Sequence, residues 1–331
     1  MNKAKLDKEK KNVKLLFQYF SHFGFQHGFW TFADAICARL KIQKAYEYAD
    51  WKRYEICKAY LRKHYGNLID SYLNAKLEEP IDKIHEDSNI WIFWWQGEEN
   101  LPYPVNLCIQ SIRRHAGKHP VVVITEKNYK DYVELPEKIM RKFSNGIISL
   151  ATFSDILRFE LLYMYGGIWL DSTYYFTGDI QPEVYENSFF SISIPNGRKY
   201  VVTKDIWSIS FMAMTKNHPI AKYMRDAFRE YWKSENITLA YLLVDCFMAI
   251  GYEDVPLFRK IINAVPANNE GVFDMLTEIR NIPCSKEDYL SKIVCGRSTY
   301  IHKLTYKERF LEEVNGQKTY FGWLICSESD E

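Results

Sequence analysis

Three things are scarce in this chain of 331 residues: paired cysteines, long uncharged apolar runs and net charge. The cysteines are seven, an odd number, at 37, 57, 108, 246, 284, 295 and 326, and none forms a C-x-x-C pair. That excludes a disulfide framework and a structural zinc site, and it suits a reducing cytosol. Cys284 and Cys295 are the one pair to consider, and only in an oxidising compartment. Net charge is +1, which argues against a protein built to hold nucleic acid. No secretory signal is legible. The apolar run after the basic N-terminus is broken by Gln18, Ser21 and His22, and no small-residue cleavage site follows. Residues 15–33 carry no formal charge, yet Gly24, Gln26, His27, Gly28 and Thr31 make them too polar to span a membrane. There is no internal repeat and no low-complexity linker.

What is abundant is aromatic. Phe, Trp and Tyr make up 16% of the chain, with nine Trp and 24 Tyr. Most of these rings belong to core packing, and the remainder suit stacking on bases or sugars. Hydrophobic residues reach 47% against 26% charged, the balance of a globular chain with a sizeable core.

Residues 1–14 read as a solvated lysine arm, partly disordered, with Lys3, Lys5, Lys8, Lys10, Lys11 and Lys14. Residues 15–85 read as helical and aromatic-rich. A basic arm beside such a helix suits an anionic membrane surface; the other reading is an appendage packed on the domain that follows. We therefore divide the chain into a basic arm with a helical extension, 1–85, and one α/β domain, 86–331. In the latter, strands at Ile90–Trp95 and Val121–Ile124 alternate with helices at Pro104–Arg114 and Leu135–Phe143. This order predicts a mostly parallel central sheet, with ligands at the C-terminal ends of its strands. Beyond Thr173 the pattern changes. Phe189–Ile194 and Ile206–Met214 look like an antiparallel or mixed extension. Helices are expected from His218-Pro219 to Trp232, over Leu239–Ile250 and over 255–265. Gly296–Thr305 reads as extended, and 306–331 as a polar tail.

The chain is organised around residues 152–173. Ser154 suits a helix cap and Asp155 its first turn. Apolar residues recur at 156, 157, 161, 162 and 164, a helical period. Gly166-Gly167 stops the helix, and Ile168-Trp169-Leu170 reads as a short buried strand ending at Asp171. A dozen helical residues span about 18 Å and four strand residues about 13 Å. The end of the strand therefore returns toward the start of the helix. Asp155 and Arg158, three apart on one helical face, are expected to meet Asp171 there.

Ser154-Asp155-x-x-Arg158 followed by Tyr165-Gly166-Gly167-Ile168-Trp169-Leu170-Asp171 resembles the core motif of glycosyltransferase family 32, and more closely its bacterial branch of capsular polysaccharide synthesis proteins. Ile90-Trp91-Ile92-Phe93-Trp94-Trp95-Gln96-Gly97-Glu98-Glu99 resembles that branch's first strand and nucleotide loop. Ile301-His302-Lys303-Leu304-Thr305 resembles its C-terminal motif. The three occur in the family's order and cover about residues 88–306.

The resemblance implies a GT-A-like fold and transfer of a hexose, with retention, from a nucleotide sugar. UDP is the favoured nucleotide. The acceptor would be a growing surface polysaccharide or a lipid-linked oligosaccharide at the inner face of the cell membrane. It implies a divalent cation, Mn²⁺ or Mg²⁺, on the diphosphate. Asp171-Ser172-Thr173 stands where many such enzymes carry Asp-x-Asp, so threonine replaces the second acid. Asp171 and Thr173 are then metal-site candidates, with His302 completing the set or bonding a phosphate oxygen; Asp171 contacting the ribose is the other reading. Lys303 is placed to neutralise phosphate. Arg158 either contacts sugar or diphosphate through its planar fork or forms a structural pair with Asp155. Trp94, with Gln96 beside it, is the candidate base platform; Trp95 and Trp169 are expected in the core. Asp245 is an acceptor-side candidate, or a helix cap. Two rival functions are a sugar nucleotidyltransferase, which would want a glycine-rich loop where Gln96-Gly97-Glu98-Glu99 is acidic, and a non-catalytic assembly subunit.

Overall fold

Two glycines with positive φ set the centre of the fold. Gly166 (φ 70°) caps helix α6 (Leu150–Tyr165), its N–H reaching the Leu162 carbonyl. Gly167 (φ 99°) opens strand β3 (Gly167–Leu170). A Cβ on Gly167 would lie 2.3 Å from the Asn89 carbonyl oxygen, and one on Gly166 2.6 Å from the Lys216 nitrogen. Only glycine combines these angles with so close a backbone approach. The chain thus reverses within two residues and lays β3 in the middle of the sheet.

The computed structural model describes residues 3–195, 201–277, 279–294 and 299–326. In chain order, helices α1 (Lys3–Phe23), α2 (Phe25–Leu40) and α3 (Gln43–Leu73) precede β1 (Ile90–Phe93), α4 (Tyr103–His115), β2 (Val121–Ile124) and α5 (Glu137–Ser144). After α6 and β3 come β4 (Tyr174–Phe176), β5 (Phe189–Ser191), β6 (Phe211–Met214), α7 (Pro219–Ser234), α8 (Leu243–Asp254), α9 (Pro256–Asn263) and β7 (Ile301–Lys303). The main sheet runs β2-β1-β3-β6-β5. Its pairings β2–β1 and β1–β3 are parallel; β3–β6 and β6–β5 are antiparallel. The fold is therefore α/β with a mixed central sheet flanked by helices, parallel on one side only. The strands expected as an antiparallel or mixed extension form the other side, shortened to Phe189–Ser191 and Phe211–Met214.

Ile168, Trp169 and Leu170 are wholly buried, and each such side chain contributes about 2–3 kcal/mol by leaving water. On the far side of β1, Trp91 packs edge-on against Tyr132 and donates to the Gly166 carbonyl at 2.9 Å. The core cluster also includes Tyr54, Cys57, Leu61, Tyr65, Ile69 and Tyr72 of α3. Polar ties reinforce that packing. Lys58 meets Glu253 at 2.6 Å, Arg62 forks onto Asp254 at 2.7 Å, Tyr72 donates to Asp226 at 2.6 Å, and Tyr60 donates to Glu235 at 2.7 Å.

Several elements differ from expectation. The lysine arm is helical from Lys3 onward. Helix α3 ends at Leu73, and 74–89 carry no helix before β1. Helix α6 begins at Leu150, with Ser149 as its cap accepting from the Thr152 N–H at 3.1 Å. Ser154 is not the cap and Asp155 lies beyond the first turn; two serines five residues apart compete, and the one with extended backbone wins. The C-terminal stretch is no mere polar tail. Its helix Tyr320–Cys326 buries Phe321 and Leu324 in a second core cluster with Tyr175 and Met275. Cys295 and residues 296–298 lie outside the described residues, so the Cys284–Cys295 pairing and the first part of the extended Gly296–Thr305 segment do too.

Replacing Gly167 by Ala forces a left-handed alanine against the Asn89 carbonyl. We expect a loss of about 3 kcal/mol or more, read as a fall in the urea midpoint; an unchanged midpoint would contradict this account of the turn.

Candidate active site

The reversal at Gly166-Gly167 carries the C-terminal end of β3 back toward the middle of α6. Arg158 donates through Nη1 to Asp155 Oδ1 at 2.6 Å and through Nη2 to Asp171 Oδ1 at 3.4 Å. Its guanidinium lies 4.8 Å from the centre of the Trp169 ring, whose indole N–H also donates to Asp171 Oδ1 at 3.2 Å. Trp169 is core, as expected, yet it holds Asp171 from beneath. That bond carried no signal in the sequence.

The fourth group comes from far along the chain. β7 pairs antiparallel with β4, setting Lys303 opposite Tyr174 and His302 opposite Tyr175. Lys303 Nζ lies 2.7 Å from Asp171 Oδ2 and 4.4 Å from the centre of the Tyr174 ring. The Tyr174 hydroxyl is 2.6 Å from Ser210 Oγ, which is 2.8 Å from Ser208 Oγ. The Ser210 carbonyl accepts the Asp171 N–H at 2.9 Å. Tyr174, Ser208 and Ser210 were not among the sequence candidates; a tyrosine three residues past the acid was the only available hint.

Two acids and two cations thus interleave at the edge where ligands bind in open α/β sheets. Arg158 is almost wholly enclosed, whereas a third of the Asp171 side chain is open. Burial would raise the Asp171 pKa, but Lys303 and then Arg158 overcome it and hold the group below the usual carboxylate range. Burial would lower Lys303, and Asp171 with Tyr174 holds it raised. For Asp155 burial wins over Arg158, and its pKa is pushed up to about 6. Asp245, in the first turn of α8, is 5% exposed and accepts from the Trp207 indole at 3.1 Å. Burial, with repulsion from Asp155, pushes it up to about 7. The acceptor-side candidate is therefore linked electrostatically to the cluster from beneath the surface.

Other candidates fall on both sides of the divide. Trp94 follows β1, where its backbone N–H meets the Ile124 carbonyl at 2.9 Å. Its ring stands perpendicular to that of Tyr306 at 5.3 Å, and its indole N–H is buried without a partner. Tyr306, half exposed, lay in what read as tail. Trp95 packs instead with Tyr129, Phe143 and Phe153. Gln96 is exposed, its carbonyl accepting from Asn100.

The implied metal set does not assemble. His302 is buried and its Nε2 lies 3.4 Å from Thr177 Oγ1. Neighbouring residues of a strand face opposite ways, so Lys303 on the Asp171 side puts His302 on the other. Thr173 is buried, with its carbonyl taken by the Leu304 N–H at 2.8 Å. Asp171 is left as a single carboxylate, already carrying two cations and an indole N–H. A hard divalent ion asks for several oxygen ligands, and these residues do not supply them. No cluster of three His, Cys, Asp or Glu side chains suited to a metal occurs among the described residues.

The fold thus brings a charged cluster to the strand ends of an α/β sheet, where ligands of such sheets bind. The chain belongs to the capsular polysaccharide synthesis protein family, whose model matches residues 39–324. It is 25% identical over 168 residues to the O-glycosyltransferase braB of Annulohypoxylon truncatum, 45% of this chain and 38% of that protein. It is 23% identical over 181 residues to the O-glycosyltransferase PaGT of Phomopsis amygdali, 49% of this chain and 43% of that one. The chain thus spans about two fifths of the length of these curated relatives. Among solved structures it is similar to the PaToxG glycosyltransferase, with a TM-score of 0.38 and 19% identity over 64% of this chain and 84% of that chain. The family match and the two relatives support glycosyltransferase activity.

The Asp245 carboxyl generates a pH prediction. Its folded pKa, about 7, exceeds the unfolded value of about 4. The folded state therefore binds the proton more tightly, and this group's stabilisation is lost as pH rises from about 4 through 7. Asp245→Asn keeps an oxygen for the Trp207 indole and removes the titration. The melting temperature of the wild type should fall more steeply than the variant's between these pH values; parallel curves would refute the assignment.

Proposed function

We propose that the protein transfers a hexose from a nucleotide sugar, UDP-linked, to a growing capsular or surface polysaccharide or a lipid-linked oligosaccharide, on a GT-A-like domain and with retention. The observation that carries this is the Asp155–Arg158–Asp171–Lys303 cluster at the strand ends of a chain belonging to this family. Trp94 and Tyr306 flank the end of β1 and suit a flat base. Gln96 lies beside them on the exposed loop. Asp171, open on one side and kept ionised by its cations, suits a ribose or sugar hydroxyl. Arg158 is fixed in orientation by Asp155 and contributes positive charge where the diphosphate develops negative charge. For retention, the departing phosphate takes the acceptor's proton on the face where the bond breaks. Asp245, the acceptor-side candidate, is enclosed and held by the Trp207 indole, and it acts on this site through its charge. Both curated relatives bear the name O-glycosyltransferase, which supports a hydroxyl oxygen as acceptor.

A lipid-carried acceptor is favoured by a separate feature. Phe25, Phe29, Phe32, Ile36 and Leu40 recur at helical spacing on α2 and are all exposed, as is Phe17 of α1. The sequence of α1 holds six lysines. Exposed aromatics beside a basic helix suit an anionic bilayer surface at the cytoplasmic face of the membrane. No helix among the described residues is long and apolar enough to cross a membrane.

Donor hydrolysis across a panel of UDP- and GDP-sugars tests the first reading. One donor should turn over slowly, and Asp171→Ala should lower the rate by about 100-fold or more. If no donor and no free nucleotide binds, the assembly-subunit reading replaces this one. Co-sedimentation tests the second: the protein should pellet with phosphatidylglycerol vesicles and not with phosphatidylcholine, and Phe25→Ser with Phe29→Ser and Phe32→Ser should release it. Equal pelleting of the triple variant would remove α2 from the contact.

A further inference from the structure

We propose that the Lys303 ammonium does the work of the divalent cation at this site, so that donor binding and bond breaking need no metal. The inference rests on the nucleotide-sugar reading above. Three observations lead to it. Lys303 Nζ sits 2.7 Å from Asp171 Oδ2. The other oxygen of Asp171 is engaged by the Trp169 indole and Arg158. The position of the second acid is a threonine, and His302, the imidazole beside Lys303 in the chain, is turned to the opposite side of β7, toward Thr177. A cation is therefore already built into the carboxylate site, covalently, on a strand.

The ammonium is placed to serve a second partner. It has three N–H donors. One is directed at Asp171, and the Tyr174 ring supports the charge from 4.4 Å. A further N–H is left for a phosphate oxygen without breaking the Asp171 contact. Tyr174 is itself pinned by Ser210, so the cradle does not have to form when the donor arrives. Paired charges also balance: Asp155 and Asp171 match Arg158 and Lys303. The diphosphate then meets two fixed cations, one on α6 and one on β7.

In the reaction the bond between the anomeric carbon and the β-phosphate oxygen breaks, and its electron pair leaves with that oxygen. The anomeric carbon bonds to the acceptor oxygen, or to water in hydrolysis, and the acceptor's proton passes to the departing diphosphate. Lys303 donates a hydrogen bond to the oxygen that gains charge and keeps its own proton. No oxidant, reductant or metal enters the balance.

The test is UDP binding by calorimetry, with EDTA and then with Mn²⁺, for the 331-residue chain and for Lys303→Ala, Lys303→Met and Lys303→Arg. The wild type should bind UDP equally in both conditions. Lys303→Ala should weaken binding in EDTA by about 10- to 100-fold, the size of a lost charge-assisted hydrogen bond, while Lys303→Arg retains part of it. Lys303→Met keeps the apolar stem and serves where the alanine variant does not fold. Donor hydrolysis by the wild type should survive EDTA. Binding or turnover that appears only with Mn²⁺ overturns the proposal and leaves the nucleotide-sugar reading intact. Absence of nucleotide binding under every condition overturns that reading, and this proposal with it.

Discussion

A turn with no room for a side chain underlies the whole arrangement. Gly166 and Gly167 pass so near the Lys216 nitrogen and the Asn89 carbonyl that a methyl group at either would collide with backbone. That contact fixes where β3 enters the sheet, between β1 and β6. The position of β3 in turn fixes Asp171 at its end and Trp169 beneath it. Arg158 completes the triangle because helix and strand are the two legs of one hairpin. The distances among Asp155, Arg158, Trp169 and Asp171 are therefore set by one helix–strand unit, as preorganised charge requires.

The N-terminal helices are bound to this unit by chemistry of two kinds. The inner face of α3 contributes apolar residues to the main core, and polar side chains along it reach α7 and α8. Lys58 is nearly enclosed, with Glu253 and Glu55 both within 2.8 Å; a buried ammonium left without either acid would be strongly destabilising. α8 also carries Asp245, so α3, on which α2 packs, abuts the helix that holds this acid.

Local periodicity and glycine chemistry made the helix–strand unit legible in advance, because both are written within two dozen residues. Val121–Ile124 was readable for the same reason: four β-branched residues between turn signals admit one interpretation. What could not be read was set by tertiary choice. Ser154 read as the cap of α6, whereas Ser149, five residues earlier, takes that place by accepting the Thr152 N–H. Ile206–Met214 looked like one strand, yet the Ser208 N–H donates to Ser191 Oγ, the Ser208 and Ser210 hydroxyls bond each other, and the ladder is confined to its last four residues. Tyr306 and the helix at Tyr320–Cys326 seemed peripheral because aromatic residues in a polar stretch carry no period. The placement of Lys303 and His302 depended on a strand pairing across more than a hundred residues, which no local rule supplies.

That pairing has a consequence of its own. β4 and β7 share a ladder of three residue pairs, and along it an imidazole and an ammonium alternate. Side chains switch face with every step of a strand. Slipping the ladder by a single residue would present His302 to Asp171 and hide Lys303. The charge offered to a ligand is thus encoded in backbone alignment as much as in side-chain identity. A one-residue shift of β7 would change the chemistry of the site without altering any residue in it.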